Sequence, residues 1–506
     1  MAMFINLLLT ALVLFPTTEI DVRLAEAAKN GDVAAVRVLI EQKADVNAPG
    51  PDGTPPLFWA IQSEELATVQ LLIRAGADVK TPNRYGITPI QIAASSGNVA
   101  IIRALLDAGA DANTVDPANQ TPLITAVRSG ELEAVRVLLD RGAKVDWVES
   151  TYGQTALMFA VREASPAVVD LLLKKGASVR ARTRTGATPA FRPANPPGGG
   201  SHGVGIVRSG LPERGNRQPI PGSMTPLLYA VREGKLETVK LLVAAGADVN
   251  EMEANDISAL LLAIGNDRMD VARFLIEKGA NLNHADWYGR TALWQAIEVR
   301  NMDLDSSTYK NNVENREEIL ELIQTMLERG ANPNARTKEV PPWRRTMLPL
   351  GSLEWVDFTG MTPFLYAARS ADLPAMRLLL KHGADPNITP LGGTTALMAA
   401  AGINWVVKQT YSESNDDFLK AVEFLYALGQ DVNAVNSMGL RAIHGAANRG
   451  SDDIVKFLVS KGARLDVKDS EGRTPMDWAE GVFLATHPPE PKPSTIALLK
   501  ELAAKK

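Results

Sequence analysis

The residues that most resemble catalytic machinery lie in a glycine-rich stretch near the middle of the chain. Gly199-Gly200-Ser201-His202-Gly203 matches the Gly-x-Ser-x-Gly pattern of serine hydrolases. That pattern works only when the serine lies on a strained turn between a buried strand and a helix, and residues 192–198, RPANPPG, contain no apolar strand. A catalytic Ser201 is therefore disfavoured. An enzyme with its site in such an insertion is kept as the weakest of the functional alternatives.

Metal and thiol chemistry have no better support. The chain has no cysteine, which excludes disulfides, thiolate nucleophiles, zinc–cysteine sites and lipid attachment through cysteine. None of the five histidines is spaced from another as metal ligands are; they are His202, His284, His382, His444 and His487. We therefore predict no cofactor, no metal and no small-molecule substrate.

Positive charge is concentrated in one part of the chain. Between Lys174 and Arg232 ten basic residues face a single acidic residue, Glu213, which gives a net charge of +9 within 59 residues. The rest of the chain carries −14, so the overall net charge of −5 hides this basic block. Such a block can attract an acidic protein or an anionic polymer such as nucleic acid or lipopolysaccharide, or it can simply keep a loop solvated. The sequence leaves all three interpretations open.

The elements that must position these residues come from a repeat that runs through almost the whole chain. A Thr-Pro-Leu-like tripeptide recurs, mostly at intervals of 33 or 34 residues, beginning at Pro55, Thr88, Thr121, Thr155, Thr225, Ser258, Thr291, Thr362, Thr395, Arg441 and Thr474. In most repeats a second block, in its cleanest form Gly-Ala-Asp-Val-Asn, follows 21 residues later, as at Gly76, Gly109 and Gly246. Two motifs locked at one offset indicate a tandem array of structural repeats.

Each part of the repeat favours a pair of helices. A threonine hydroxyl caps a helix start, and a proline fits the first helical turn, where its missing N–H is not needed. The inner helix that follows is rich in alanine, which lets neighbouring backbones approach, and it ends at a glycine such as Gly130. The outer helix has apolar residues at helical spacing, such as Val135, Leu138 and Leu139. The glycine of the second block then supplies a left-handed C-cap.

These motifs closely resemble the ankyrin repeat. The resemblance implies an all-α solenoid of about twelve helix-turn-helix units with hairpin-like connecting turns, and it implies a scaffold that acts through protein–protein binding. The first pair, Val22 to Asn47, lacks its own Thr-Pro-Leu, and the last, Thr474 to Leu502, lacks the second block, as expected of N- and C-terminal caps. Fold resemblance alone does not identify the partner.

Departures from the repeat period define the predicted domain organisation. Repeats one to five occupy 21–181, and repeats six to twelve occupy 223–504. Between them, 182–222 is rich in proline, glycine and arginine and reads as an insertion or a degenerate repeat. Further insertions are predicted near 301–318, 337–358 and 403–417. Insertions in repeat arrays map to loops, often on the binding face.

The resemblance also implies which side chains face a partner. Residues at the ends of inner helices should line the concave groove, beginning with Gln62 and Ser95, and a later repeat should present Arg369 there. Residues at the turn tips should rim the same groove. The predicted partner-binding residues are Arg128, Arg162, Arg180, Arg182, Arg184, Arg232, Trp147, Tyr152, Trp287 and Tyr288. We expect a protein partner with an acidic surface, with the anionic polymer as the alternative.

The first eighteen residues form a separate apolar leader. Phe4 to Phe15 is apolar apart from Asn6 and Thr10, which is too short to span a bilayer but suits the core of a signal peptide. No basic residue precedes this run, and no Ala-x-Ala cleavage site follows it before Glu19. The expectation is an exported protein, periplasmic or extracellular, that resembles exported bacterial ankyrin proteins. If the leader is not a signal, the protein is cytoplasmic.

Overall fold

The computed structural model describes residues 18–163, 166–186, 222–301, 315–339, 356–404, 414–482 and 489–505. Within these ranges it has twenty-four α-helices and no β-strand, which confirms the predicted all-α array of about twelve helix pairs. Isolated antiparallel bridges, Met252 with Ser258 and Ala285 with Thr291, close two of the connecting turns. No helix in the described part of the chain is long and apolar enough to cross a membrane.

Packing divides the chain into two units. The first unit contains residues up to Ala187 together with Met224–Ala230 and Glu237–Ala247, and the second unit contains the remainder. Several predicted segments lie outside the described residues. They are most of the leader, residues 187–221 of the central insertion, which include Ser201, and the middle parts of the other three insertions.

In the first unit, inner helices alternate with outer helices along the chain. The inner helices are α1 (Thr18–Lys29), α3 (Pro56–Gln62), α5 (Pro89–Ser96), α7 (Pro122–Ser129) and α9 (Ala156–Glu163). The outer helices are α2 (Val33–Glu41), α4 (Leu66–Arg74), α6 (Val99–Asp107), α8 (Leu132–Asp140) and α10 (Pro166–Lys174). The sixth pair, α11 (Pro226–Glu233) and α12 (Leu236–Ala244), follows the central insertion and contributes residues to both units. Helix α1 begins three residues before the predicted boundary at 21.

The second unit continues the alternation with six further pairs. Its inner helices are α13 (Ala259–Gly265), α15 (Ala292–Arg300), α17 (Pro363–Arg369), α19 (Ala396–Ala401), α21 (Ala442–Arg449) and α23 (Pro475–Glu480). Its outer helices are α14 (Met269–Glu277), α16 (Arg316–Glu328), α18 (Leu373–Lys381), α20 (Asn415–Ala427), α22 (Asp452–Ser460) and α24 (Pro493–Ala504). In both units inner helices stack on inner helices and outer helices on outer helices.

The predicted helix signals act as expected. The Thr121 hydroxyl accepts the Ile124 N–H at 3.4 Å and so caps α7, and Pro122 occupies the first helical position. Gly130 ends the same helix with φ 81°, a left-handed conformation that glycine adopts without steric cost. In α5 the cap is reinforced by Gln91, whose side-chain oxygen accepts the Thr88 N–H at 2.9 Å. Local sequence therefore fixes where each inner helix begins and ends.

Alanine at one repeated position allows the inner helices to stack closely. The alanine five residues after the cap is fully buried in every inner helix from α3 to α23; these residues are Ala60, Ala93, Ala126, Ala160, Ala230, Ala263, Ala296, Ala367, Ala400, Ala446 and Ala479. Larger residues on either side fill the space between layers, as Leu123 and Val127 do in α7. A larger side chain at the alanine position would overpack the layer, which typically costs about 1–3 kcal/mol.

The asparagine of the second block forms a ladder between successive repeats. Asn113 donates its side-chain N–H to the Gly142 carbonyl at 3.0 Å and accepts the Lys144 N–H at 2.8 Å. The same pair of bonds recurs in the second unit, where Asn283 donates to the Gly330 carbonyl at 3.0 Å, although 47 residues separate the two instead of 29. The ladder therefore continues past the insertion between α15 and α16.

Candidate interaction surface

The seventh residue after the helix cap lies at or near the end of each inner helix, and its exposure differs along the chain. In the first unit four successive repeats expose this residue: Gln62, Ser95, Arg128 and Arg162. We call these four residues the inner-helix face. Their helices are held by buried neighbours, so the exposed ends project from a fixed framework. Arg128 and Arg162 lie exposed near the ends of their helices, and their role in partner binding stays a prediction.

Aromatic rings from the following repeat lie beneath the cations of this face. The Arg128 guanidinium is 5.7 Å from the centre of the Phe159 ring, and the Arg162 guanidinium is 5.9 Å from the centre of the Tyr229 ring. At the N-terminal end of the unit, the Lys29 ammonium is 4.4 Å from the centre of the Trp59 ring. Such cation–π contacts orient a side chain while leaving its hydrogen-bond donors available. The arginines of the inner-helix face are thus partly preorganised.

Glutamates next to these arginines reduce the positive charge that the sequence suggested. Arg128 forms an ion pair of 3.4 Å with Glu163 of the next repeat, and Arg232, in the second unit, forms one of 3.2 Å with its neighbour Glu233. Sequence analysis missed this compensation, although the Arg-Glu dipeptides at 162–163 and 232–233 signal it. The inner-helix face is therefore a mixed-charge surface and not an uncompensated row of arginines.

In the second unit the same repeat position is buried in three successive helices. Glu298, Arg369 and Gly402 occupy it and are all buried. The expectation that Arg369 faces the groove is therefore wrong. Its guanidinium is 4.9 Å from the centre of the buried Phe358 ring, and the side chain is part of the interior. The repeat motif alone cannot distinguish a surface arginine from a buried one.

A buried ion-pair network lies beside these residues. Arg300, at the end of α15, forms a 2.9 Å ion pair with Asp372, and their side chains are only 3% and 0% exposed. Asp372 also caps α18 by accepting the Ala375 N–H at 3.2 Å, and it accepts a bond of 3.0 Å from the Asn301 side chain. The Arg300 guanidinium further donates to the Arg316 carbonyl at the start of α16. The Asp372 carboxylate therefore joins α15 to α18, and the Arg300 guanidinium connects this pair to α16.

The basic residues at the turn after α10 are exposed but not equivalent. Arg180, Arg182 and Arg184 all face solvent. Arg184 is held to the preceding turn, because its backbone N–H donates to the Tyr152 carbonyl at 2.8 Å and its guanidinium donates to the Ser150 carbonyl. Arg180 forms no ion pair with any described residue. The first part of the basic block is therefore solvent-accessible, whereas its residues 187–221 lie outside the described ranges.

The turn-tip aromatic residues are half-buried and pack on neighbouring turns. The Trp147 indole N–H donates to the Asn119 carbonyl of the preceding turn at 2.9 Å. The Tyr152 backbone N–H donates to Glu149 at 2.7 Å within its own turn. Both residues therefore have structural roles, but part of each ring remains accessible at the surface of the first unit.

Trp287 and Tyr288 form a comparable pair in the second unit. Their rings meet edge to face at 4.9 Å, and the Arg290 guanidinium is 5.3 Å from the centre of the Tyr288 ring. Burial raises the pKa of the Tyr288 hydroxyl above its ordinary value. The Tyr288 carbonyl accepts the Lys338 N–H of the next turn at 2.7 Å. This pair joins two turns and is only partly accessible.

The residues considered for catalysis and metal binding do not assemble into a site within the described part of the chain. Ser201 and its glycines lie outside it. Among the described residues no group of histidine and carboxylate side chains is arranged to hold a metal ion. His444 is buried, and its Nδ1 accepts the Arg441 N–H at 3.0 Å, so it has a structural role in its helix cap.

Comparison with known protein families identifies the repeat. The sequence profile described as "Ankyrin repeats (3 copies)" matches residues 24–116, 108–183, 227–305 and 410–481, and the profile described as "Ankyrin repeats (many copies)" matches 359–404. These segments cover well over half of the chain. The chain belongs to the ankyrin repeat family. The ankyrin helix pairs described above are therefore the family's own structural unit.

Individual relatives share only a part of this ankyrin chain. The human cyclin-dependent kinase 4 inhibitor B is 38% identical over 115 residues, which are 22% of this chain and 73% of that protein. The bovine ankyrin repeat and SOCS box protein 3 is 34% identical over 120 residues, 24% of this chain and 20% of its own length. Alpha-latrocrustotoxin-Lt1a of Latrodectus tredecimguttatus is 29% identical over 123 residues, 24% of this chain and 8% of that protein. The similarity thus concerns the repeat module.

Proposed function

We propose that this ankyrin protein is a non-enzymatic scaffold that binds another protein through the inner-helix face of its first unit. The observation that carries the proposal is the exposure of four successive helix ends, Gln62, Ser95, Arg128 and Arg162, while their second-unit counterparts Glu298, Arg369 and Gly402 are buried. A row of exposed polar side chains on a rigid framework suits the recognition of a macromolecular surface. The human relative, named as an inhibitor of a kinase, is consistent with protein binding.

An acidic partner fits the chemistry of this face best. Arginine guanidinium groups held over aromatic rings retain donors that match a carboxylate in two-pronged geometry. The ion pair between Arg128 and Glu163 is exposed on both sides, at 49% and 34%, so a partner carboxylate can replace Glu163 at little cost. Arg180 and Arg182 add accessible positive charge at the turn after α10. Charge of this kind contributes more to association rate and selectivity than to affinity.

Charge reversal on the inner-helix face tests this proposal. We expect Arg128→Glu combined with Arg162→Glu to reduce capture of the native partner from a lysate of the source organism by at least about tenfold at low salt, with less effect as salt rises. The matched control is Lys456→Glu with Arg464→Glu, which reverses two exposed cations on the second unit. Quantitative mass spectrometry of the captured proteins measures the change, and thermal unfolding verifies that both variants remain folded.

Two outcomes would contradict the proposal. Equal capture by the double variant and the wild-type protein would show that the inner-helix face is not the binding surface. Binding to polyanions with a steep salt dependence and no protein selectivity would favour the anionic-polymer alternative. Pairing of Lys174 with Asp170 and of Lys175 with Asp140 already reduces the charge available for that alternative.

We also propose that the protein is exported. The proposal is based on the apolar run from Phe4 to Phe15 and its length. Cell fractionation of a tagged full-length protein should locate it outside the cytoplasm, whereas a variant that lacks residues 1–18 should remain inside. If both forms are found in the cytoplasm, the run is not a signal peptide.

A further inference from the structure

We propose that the turn at 144–148 in the first unit binds one apolar side chain of an extended acidic peptide segment, with Trp147 as the apolar platform and Lys144 and Arg180 as the cations that pair with its carboxylates. The inference rests on the proposed protein-binding function and names the chemistry of the partner segment. It concerns the turn tips and not the inner-helix face, so the two surfaces can be tested separately.

Trp147 is held in place by an unusual residue of the preceding turn. Asn119 has φ 60°, a left-handed conformation, and occupies the turn position that glycine holds in neighbouring repeats, as Gly86 and Gly153 do. Its carbonyl accepts the Trp147 indole N–H at 2.9 Å, and its side chain donates to the Val148 carbonyl at 3.1 Å. Asparagine tolerates this conformation better than most residues, and here it contributes two hydrogen bonds that glycine could not both supply. The indole is therefore preorganised.

A second repeat shows that the fold does not require tryptophan at this position. His284 stands at the equivalent place in the second unit, and its Nε2 lies 2.7 Å from the carbonyl oxygen of Asp256, which has φ 61°. A histidine thus makes the same side-chain contact to a left-handed residue of the previous turn. Histidine therefore suffices for the bond to the carbonyl of the previous turn. We infer that the larger apolar surface of Trp147 serves binding and not folding.

An open recess lies against the Trp147 ring. It has a volume of about 400 Å³ and is lined by Lys144, Asp146, Trp147 and Val148. Val148 is 45% exposed, which is high for a valine beside a half-buried tryptophan. A recess of this size, open on one side, accommodates one leucine or aromatic side chain of a chain passing over it. Apolar contact of this kind with a fixed aromatic ring is typical of binding anchors.

Charge around the recess selects for carboxylates in the occupant. The Lys144 ammonium is 5.5 Å from the centre of the Trp147 ring and forms no ion pair with a described residue. The only carboxylate of the recess, that of Asp146, accepts the Ser178 N–H of the next turn at 2.8 Å, and Arg180 follows two residues later without an ion pair to any described residue. Lys144 is therefore an exposed cation beside the recess, and Arg180 is a second exposed cation on the next turn. A segment with acidic residues on either side of one apolar residue complements this arrangement.

A defined peptide tests the inference. The probe is a fluorescein-labelled peptide of sequence Gly-Glu-Glu-Phe-Glu-Glu-Gly, and fluorescence anisotropy measures its binding to the full-length protein at low salt. We expect Trp147→His to weaken binding about fivefold, because histidine retains the bond to Asn119 but not the ring area. Lys144→Glu with Arg180→Glu should weaken binding about tenfold, with a smaller effect at high salt. The matched control, Tyr426→His in the second unit, changes an exposed aromatic ring that lies beside Lys461 and should bind as the wild-type protein does.

Several results would overturn the inference. These are no measurable binding of the peptide to the wild-type protein, equal binding by Trp147→His, or equal binding of a peptide with alanine in place of phenylalanine. A single-stranded oligonucleotide that binds at the same place with greater affinity would identify a polyanion as the occupant. Self-association that Trp147→His abolishes in sedimentation experiments would identify a second copy of the chain. If the peptide depends on Trp147 while the variant of Arg128 and Arg162 retains its partner, this inference stands and the inner-helix proposal fails.

Discussion

The two units use one position of the same repeat in opposite ways. In the first unit the residue seven positions after the helix cap is exposed, and at Arg128 it is paired only with a glutamate that solvent also reaches. In the second unit three successive equivalents, Glu298, Arg369 and Gly402, are buried, and Arg369 packs against the Phe358 ring. An identical residue at an identical repeat position can therefore lie at the surface in one unit and in the interior of the other.

The contribution of an ion pair to the free energy of unfolding depends on how deeply the pair is buried. An exposed ion pair contributes about 0–1 kcal/mol because water solvates both charges well when they separate. A buried charge that loses its partner has no such compensation, so breaking the pair costs several kcal/mol. Substitutions at corresponding positions should therefore have small effects on the stability of the first unit and large effects on that of the second unit.

The largest effect is expected at Asp372. We predict that Asp372→Asn lowers the free energy of unfolding of the second unit by about 3–5 kcal/mol, because Arg300 remains buried without its counter-charge. Asparagine is as good a helix cap as aspartate, so the cap of α18 is retained and the loss reports the ion pair. Urea unfolding followed by circular dichroism, with hydrogen exchange of α15 and α18, measures the effect.

The matched control for Asp372 is Glu163→Gln in the first unit, the same carboxylate-to-amide change at an exposed pair. Its effect should remain below about 1 kcal/mol. Equal losses in the two variants would contradict the contrast between the units. A negligible loss at Asp372 would show that α15, α16 and α18 are held together by packing alone.

The second prediction concerns the pH dependence of stability that His444 causes. Gln91, which lies at the same position of its own inner helix, serves as the residue that does not titrate. Burial is the main cause that lowers the pKa of His444, from an ordinary 6.5 to about 4. As the pH falls, the unfolded chain therefore takes up a proton before the folded chain does, and stability present above pH 6.5 is lost between 6.5 and 4. At pH 5 the loss should be about 2 kcal/mol.

His444→Gln should remove this pH dependence. Gln91 accepts the N–H of its helix cap with a side-chain oxygen at 2.9 Å, as the His444 ring nitrogen does at 3.0 Å, so glutamine keeps the bond without titrating. Thermal unfolding at pH 7 and pH 5 measures both proteins. If the variant loses as much stability on acidification as the wild-type protein, the titrating group lies elsewhere.

The smallest effect compares the two arginines directly. Arg369→Ala should lower the free energy of unfolding by about 2 kcal/mol, since it removes a buried side chain that packs against the Phe358 ring. Arg128→Ala, at the same repeat position, should change it by less than about 1 kcal/mol. Chemical denaturation of the two variants gives the comparison, and similar values for both would mean that burial at this position has little energetic weight.

Much of the fold was predictable because its signals are local. Thr121 and Gly130 act within one helix through hydrogen bonds that span three residues, and Pro122 acts there through its fixed backbone angle. The buried alanines follow from the same register. A motif that recurs eleven times reveals such local rules even when single copies deviate, as Pro55 and Arg441 do. The class of fold and the alternation of inner and outer helices were therefore accessible from sequence.

The surface was less predictable because its pairings are not local. Arg128 meets Glu163 across 35 residues, and Arg300 meets Asp372 across 72 residues. The first separation is one repeat period plus one residue, whereas the second spans two insertions and does not follow from the repeat period. Sequence analysis assigned no role to Asn119, because this residue replaces the glycine of the repeat motif. The replacement nevertheless distinguishes this turn from the turns of neighbouring repeats. Residues that deviate from the repeat motif mark the places where the structures of individual repeats differ.

The asparagine ladder has a consequence for how this chain can evolve. Asn283 reaches the Gly330 carbonyl with the same bond that Asn113 makes to Gly142, although 18 more residues lie between them. Chain length and repeat spacing are therefore uncoupled: genetic material can be added between two helices without altering the step from one repeat to the next. An ankyrin array built in this way can gain, lengthen or lose an insertion in a single mutation. The repeats that follow the insertion keep their stacking positions.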